Sequence, residues 1–552
     1  MSDEVSAARV GSAPAAAGSR TVLVTLASAQ FLMTLDSSVM NVSIATVAHD
    51  VHTTVTGIQT AITLYTLVMA SLMITGANAG QILGRRRAFA IGCVVYAVGS
   101  FTTSLAPNLV VLLIGWSFLE GIGAALIMPA IVALVAANFD RAQRPRAYGL
   151  VAASGAIAVA AGPLIGGLLT TYASWRWVFA GEVVIVAVIL LLTRRLADSP
   201  PEPGHHVDLV GTGLSALGLA LIVFGILRAG AWGFVNPKPG APSWLGLSPV
   251  LWLVLAGGCV LLAFLVWERY RHRHGGAVLV EPGLLRNRLL RGGLTSFFFQ
   301  YLLQAGLFFT VPLFLSVALG LSAVATGVRI LPLSVALLAT AVGIPRFLPN
   351  ASPRRVVRFG FLALFVGIVA LAAALDAGVG PEVVTWPLVL AGAGVGALAS
   401  QLGSVTVSSV GDEKSAEVGG LQNTVTNLGA SIGTALAGAV LISALTSSFF
   451  TGIEDNAKVP PELSSSAQVE LAGGVPFLSD RDLEAALDEA GVDEPARSAI
   501  IDENETARLD GLRSALAVLA GGALVALFVT RGIPRRQPGS EPEDPHSTDA
   551  GS

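Results

Sequence analysis

Three carboxyl side chains stand inside long apolar runs of this 552-residue chain: Asp36, Glu120 and Glu182. A charge at the centre of a bilayer costs roughly 2.5–3.5 kcal/mol on insertion scales, so such residues turn toward a cavity or a partner. A carboxyl in low-dielectric surroundings resists standing there as a bare anion. That suits a group that takes up and gives up a proton, and proton coupling is the chemistry expected of all three. Each also has a structural reading. Asp36 can fix the first helix by a hydrogen bond, Glu120 can be a protonated acid bonded in packing, and Glu182 can sit at the interface. At a rise of 1.5 Å per residue, Asp36 and Glu182 fall in the outer third of their spans and Glu120 near the middle. Arg329 shares the outer level.

A second set of residues has the polarity of a substrate cavity. Gln30, Gln300, Tyr301, Gln304, Gln401, Gln422 and Asn423 lie within apolar runs. They can touch ligand or bond a neighbouring helix, as polar groups in bundles often do. No Ser/His dyad or cluster of metal ligands lies within the spans, so an enzyme, a metal site and a cofactor are not expected. A phosphate-binding loop of the GxxxxGK[ST] type needs a lysine, and Lys238, Lys414 and Lys458 complete none. An ion gradient is left as the energy source. One charge crossing ~100 mV supplies roughly 2.3 kcal/mol, so a single proton per cycle is adequate.

The elements that must hold these residues are membrane helices. The chain is 53% hydrophobic and only 12% charged, against about 25% charged in soluble domains. Windows of ~20 apolar residues give about fourteen spans. They start near Thr21, Gly57, Ala88, Asn108, Tyr148, Trp177, Leu209, Ser248, Gly293, Ala323, Val356, Val384, Leu421 and Gly511. Arginine-rich connections (Arg85–Arg87, Arg141–Arg146, Arg194–Arg195, Arg269–Arg291, Arg346–Arg358, Arg531–Arg536) alternate with connections holding Asp50, Asp376, Glu382 and the acids after Phe450. The positive-inside rule then puts both termini in the cytoplasm of a cell inner (plasma) membrane protein. The scarcity of lysine beside abundant Ala and Gly points to a GC-rich bacterial genome. The net charge of −3 gives no sign of nucleic acid. Cys93 and Cys259 lie in separate spans, which argues against a disulfide. Residues 1–20 lack an apolar core followed by a cleavage site, so the first span is expected to stay as an anchor.

The expected organisation is a cytoplasmic tail (1–20), a six-helix bundle (21–195), a linker with the seventh and eighth spans (196–290), a second six-helix bundle (291–530) and a cytoplasmic tail (531–552). Arginines follow both the second and the tenth span, which hints at duplicated halves around a midplane site, the architecture of secondary transporters. An external loop, 447–510, carries DRDLEAALDEAG, with Leu483 and Leu487 at helical spacing and Gly491 as a stop. The loop reads as a cover for the external mouth or as a docking module. The stretch from Gly155 to Gly167, GAIAVAAGPLIGG, sets Gly162 and Gly166 one turn apart beside a bend at Pro163. Small residues let helix backbones approach closely, so this span is expected to pack tightly and rock against a partner.

In this order and topology the motifs resemble the major facilitator superfamily, in particular its fourteen-span drug/proton antiporter branch of EmrB/QacA type. The matching residues are Leu35-Asp36 with Asn41-Val42, Gln59 and Tyr65, Gly84 with Arg85, Arg86 and Arg87, and Gly121 to Ala125 running into Met128-Pro129-Ala130. They continue in Gly162-Pro163 with Gly166-Gly167, followed by Trp175-Arg176-Trp177. The resemblance implies an all-α membrane fold of two six-helix bundles plus two linker helices. It makes Gly84 to Arg87 a cytoplasmic loop motif and Gly155, Gly162, Pro163, Gly166 and Gly167 an antiporter motif, and it adds Asn41 and Tyr65 to the cavity set. The departures are Gln81 and Ile82 in the loop motif, Ser117 where the fourth span of the branch carries Arg, and Glu120 where Gln is usual. Glu182 and Val184 replace the usual Asn and Pro. The implied function is proton-coupled efflux of small hydrophobic or amphipathic compounds by a protein in lipid, working as a monomer. The alternatives are a dedicated exporter of one metabolite, antibiotic or lipid, and a non-transporting receptor or scaffold.

Overall fold

The computed structural model describes residues 15–534, apart from 140–142, 198–207, 239, 277, 282, 349, 377, 408–414, 462, 465–466, 468–470 and 472–474. Most of the 196–207 linker, Arg141 and both terminal tails beyond these bounds lie outside the described residues. The long helices, labelled here in chain order, are α1 (Ala15–Val42), α2 (Val55–Leu83), α3 (Arg85–Ser104) and α4 (Leu109–Leu112, Leu113–Glu120 and Gly121–Asn138). They continue with α5 (Arg144–Tyr172), α6 (Arg176–Thr193), α7 (Leu209–Trp232), α8 (Pro249–Arg273), α9 (Arg288–Leu313, extended by Phe314–Ala318) and α10 (Ala323–Phe347). The last four are α11 (Pro353–Ala374), α12 (Thr385–Val407), α13 (Ser415–Asp455) and α14 (Ala496–Val529). No named strand forms among the described residues. Twelve helical segments are long and apolar enough to cross a membrane, and α5 adds a bent pair, Ala147–Val159 and Ala161–Tyr172, at 42°. The helix α3, which opens on three arginines, is not among them.

Local chemistry sets many of the starts. The side chains of Thr54, Asn108, Asp208, Ser248, Asn287 and Ser322 each accept a backbone N–H of the turn they precede, the usual satisfaction of an orphan helix donor. The bend in α5 lies one turn before Pro163. Proline removes a hydrogen bond to the residue four positions back and crowds its carbonyl, as the sequence reading expected.

Helix pairing repeats along the chain. In the first six helices α1 packs on α5, α2 on α4, and α3 on both α4 and α6. In the last six, α9 packs on α13, α10 on α12, and α11 on both α12 and α14. The two sets meet along α2 with α13 and α5 with α10, while α7 and α8 pair with each other and α7 leans on that α2–α13 seam. Helices also occupy both ends of the expected 447–510 loop, because α13 runs to Asp455 and α14 begins at Ala496 rather than near Gly511. Between them Asp480–Glu489 is helical and ends on Gly491 with φ of +67°. Thr446 Oγ1 accepts Val475 N–H, and Arg508 donates to Leu478 O, so this segment is fastened over the last two helices.

Candidate functional site

The three acids converge. One oxygen from each of Asp36 on α1, Glu120 on α4 and Glu182 on α6 lies within 4.8 Å of the other two. All three residues are buried. Glu120 therefore stands level with the others, not deeper as its residue count implied. It closes a π-helical stretch, Leu113–Glu120, that also carries Trp116 and Ser117. Such wider turns are rare and take more residues over the same height. The stretch lies against α3, where a Cβ on Gly99 would come within 2.7 Å of Gly115 O. Only glycine permits that approach, and it brings the hydroxyls of α3 to the acids.

Neutral donors orient each carboxyl. Trp116 Nε1–H points at both Asp36 oxygens, at 2.9 and 3.0 Å. Thr103 donates to Glu120 Oε1 at 3.1 Å, and Ser100 and Tyr96 donate to Glu182 Oε2 at 3.1 and 3.3 Å. Glu120 Oε2 and Glu182 Oε1 are left without a hydrogen-bond partner. The buried Tyr65 stacks on Trp116 with ring centroids 5.0 Å apart. Its hydroxyl faces Asp36 yet also has no hydrogen-bond partner. Among the described residues no lysine or arginine pairs with any of the three acids, and Arg329 makes no ion pair with Glu182. At 4.8 Å, the outer limit of these separations, and an effective dielectric near 20, two ionised carboxylate oxygens repel by about 3.5 kcal/mol, and by more at closer approach. The pocket therefore calls for positive charge as small as a proton or a bare ion. The sequence reading expected no metal site, since no ligands cluster along the chain; three carboxylate oxygens at this spacing are a set that could hold a metal ion.

Other expected residues have different surroundings. Ser117, at the position where the resembling branch has Arg, donates to Ala61 O at 2.8 Å and ties α4 to α2. Gln30 is half-buried against Gly155 and donates to Thr34, while Asn41 donates to Ser37 O of its own helix. Gln300 is buried with Oε1 unpartnered, and Gln401 is buried beside Ser400. Tyr301, Gln304, Gln422 and Asn423 are half-buried. Of this set only Tyr65 joins the acids. A cavity of about 340 Å³ opens elsewhere, at the end of the bundle where α1 begins, lined by Asn78, Gln81, Arg85, Ala133, His272 and Glu281 among others. None of the expected cavity residues lines it.

The motif glycines make the joints. Gly162 and Gly166 rest on Ser38 and Val39 of α1, whereas Gly167 rests on Ala323 of α10. A Cβ on Gly327 would meet Pro163 O at 2.1 Å. The bent helix α5 is thus wedged between its own bundle and the other. On the opposite seam Gln59 donates to Thr434 O and Ala435 O, and Ser431 donates to Thr63 O. Gly84, with φ of +92°, turns α2 into α3, where Arg85 reaches Ala133 O, Arg86 reaches Leu196 O, and Arg87 is exposed. At the far end Trp175 and Arg176 both donate to Asp50, and Arg176 also reaches Ala106 O.

Sequence reasoning missed Tyr96, Ser100, Thr103 and Trp116 as site residues. For the first three the available signal was the concentration of hydroxyls near the end of α3, in a helix otherwise apolar beyond its arginines.

Comparison with known proteins fits this geometry. The family model described as Major Facilitator Superfamily matches residues 26–434. A probable actinorhodin transporter of Streptomyces coelicolor is 28% identical over 82% of this chain and 76% of its own length. Puromycin resistance protein pur8 of Streptomyces alboniger is 31% identical over 75% of this chain and 80% of its own. Among solved structures, a bacterial homologue of the human lysosomal transporter Spinster, inward-facing and unoccupied, aligns with a TM-score of 0.56. It is 15% identical, over 95% of this chain and 98% of the other, and shows the fold alone. The protein is a multi-pass membrane transporter, and the chain belongs to the major facilitator superfamily.

Proposed function

We propose that this protein is a proton-coupled exporter of small hydrophobic or amphipathic molecules, and that Asp36, Glu120 and Glu182 together form its coupling site. The observation carrying this reading is the convergence of three buried acids, from three helices of one bundle, with no cationic side chain paired to them among the described residues. Protons supply the charge such a pocket needs. Relatives named for antibiotic transport and resistance support the direction of transport.

In this reading about fourteen spans form two six-helix bundles, 21–195 and 291–530, with the 196–290 linker helices beside them and both termini in the cytoplasm. The 340 Å³ cavity is then the cytoplasmic mouth. The bundles rock about the α5–α10 and α2–α13 seams, and substrate passes between them. The acids are enclosed within one bundle, too tightly for an organic substrate. Protonation therefore acts on substrate through movement of α1 and α4 rather than by direct contact. Everted vesicles carrying the protein should release protons when substrate is added, and D36N with E120Q should abolish that release. Normal coupled transport by the double variant would refute the assignment.

A second reading, a dedicated exporter of one antibiotic or metabolite, is favoured by relatives each named for a single compound. A susceptibility screen across cationic dyes, antibiotics and lipids separates it from broad efflux.

A further inference from the structure

We propose that the three-acid pocket also binds a hard metal cation of sodium or calcium size, in place of protons. The proposal rests on reading Asp36, Glu120 and Glu182 as the coupling site and adds a second ion to it.

The donor set is all oxygen, which selects hard cations over zinc or copper. Calcium holds its oxygens at 2.3–2.6 Å. Three oxygens spread evenly around such an ion in one plane stand about 4.0–4.5 Å apart, inside the 4.8 Å that bounds the separations of the three carboxylate oxygens. Magnesium takes its oxygens at about 2.0–2.1 Å and keeps several waters, which suits poorly a pocket whose acids are shielded from solvent.

Two observations independent of the acid cluster's charge point the same way. Each glutamate has one oxygen held by a hydroxyl of α3 and the other free of any partner. Outer hydrogen bonds that orient a carboxylate while leaving an oxygen open are how metal ligands are positioned. The Tyr65 hydroxyl, 1% exposed and unpartnered, is a neutral oxygen aimed into the same pocket. It stacks on the Trp116 ring whose N–H holds Asp36, so its position is fixed from behind. Neutrality is reached with one calcium and one proton, or one sodium and two protons, on three carboxylates.

The test is equilibrium binding of radiolabelled sodium and of radiolabelled calcium to the purified full-length protein in detergent, with unlabelled magnesium as a size control. One of the two ions is expected to bind saturably, at one per chain, unaffected by magnesium. E120Q and E182Q should each abolish saturable binding. Thr103→Val, which removes the hydroxyl orienting Glu120, should weaken it by about tenfold. Thr310→Val, in the other bundle, should leave it unchanged. Gel filtration and a thermal melt establish that each variant is folded. No saturable binding to folded wild-type protein, or equal binding by E120Q and E182Q, overturns the site. Substrate-driven proton release from vesicles of the same protein tells the failures apart. Release without metal binding removes the cation site and leaves the coupling reading in place.

Discussion

The two bundles pair their helices in the same pattern, yet they fill corresponding places with opposite chemistry. Where α1, α3 and α6 meet, the first bundle buries Asp36 and Glu182 with Ser100 and Tyr96, and Glu120 reaches in from α4. Where α9, α11 and α14 meet, the second bundle has Thr310, Val311, Phe314, Leu371, Leu375, Leu512 and Leu516. Even Thr310 spends its hydroxyl on carbonyls of its own helix. The same scaffold thus tolerates either an ionisable layer or an apolar one. In the proposed reading, ion chemistry belongs to the first half, and the second is a packed counterpart that moves with it.

The largest expected effect lies in the acids. One charge driven across ~100 mV supports roughly a fiftyfold gradient of a neutral solute. D36N should collapse that accumulation toward unity in an uptake assay on everted vesicles. Thr310→Val should leave it intact, and an equal loss in both variants would dissolve the contrast between the halves. Next come the leucines. L516A should lower the detergent melting temperature, since truncating a buried leucine costs about 2–5 kcal/mol, while protons released per substrate stay constant. A changed stoichiometry in L516A would show that the apolar half also couples.

Smaller effects belong to the seams. G327A sets a methyl against the Pro163 carbonyl, so the turnover rate should fall about tenfold, as for a barrier raised by ~1.4 kcal/mol. The metal or proton affinity proposed for the first bundle should not change. Q59A removes hydrogen bonds to Thr434 O and Ala435 O across the other seam, each worth about 0.5–1.5 kcal/mol. Labelling of a cysteine introduced by N78C in the cavity lining should then shift by a few-fold, without loss of coupling. Full accumulation with unaltered accessibility would show that Gln59 plays no part in holding the halves.

Much of this architecture was legible in the sequence because membrane helices announce themselves by length, apolarity and charge at their ends. The expected starts at Asn108, Leu209, Ser248 and Ala323 fall at or beside caps or first residues of helices. The bend at Pro163 and the stop at Gly491 follow from backbone rules that act locally. The start of α14 was not legible. Residues 496–510 are polar because they leave the apolar layer, yet they continue the same helix. The acids were identifiable one by one, since a carboxyl in an apolar run is conspicuous. Their meeting was not, because contact between α1, α4 and α6 has no period along the chain. The π-helical stretch ending at Glu120 accounts for part of the error made by counting residues as depth. Thr103 shows why partners were missed, since its hydroxyl faces both Gly99 O of its own helix and Glu120. Residue type alone does not separate those uses.

The most direct measurement compares two modes of transport by one variant, with Asp36, Glu120 and Glu182 all changed to their amides. Counterflow, the exchange of labelled for unlabelled substrate without a gradient, needs only the moving bundles. Accumulation against a gradient needs the coupling site too. The triple variant is predicted to keep counterflow while losing both accumulation and substrate-driven proton release. Accumulation by the triple variant at the wild-type level would contradict the assignment of coupling to this pocket.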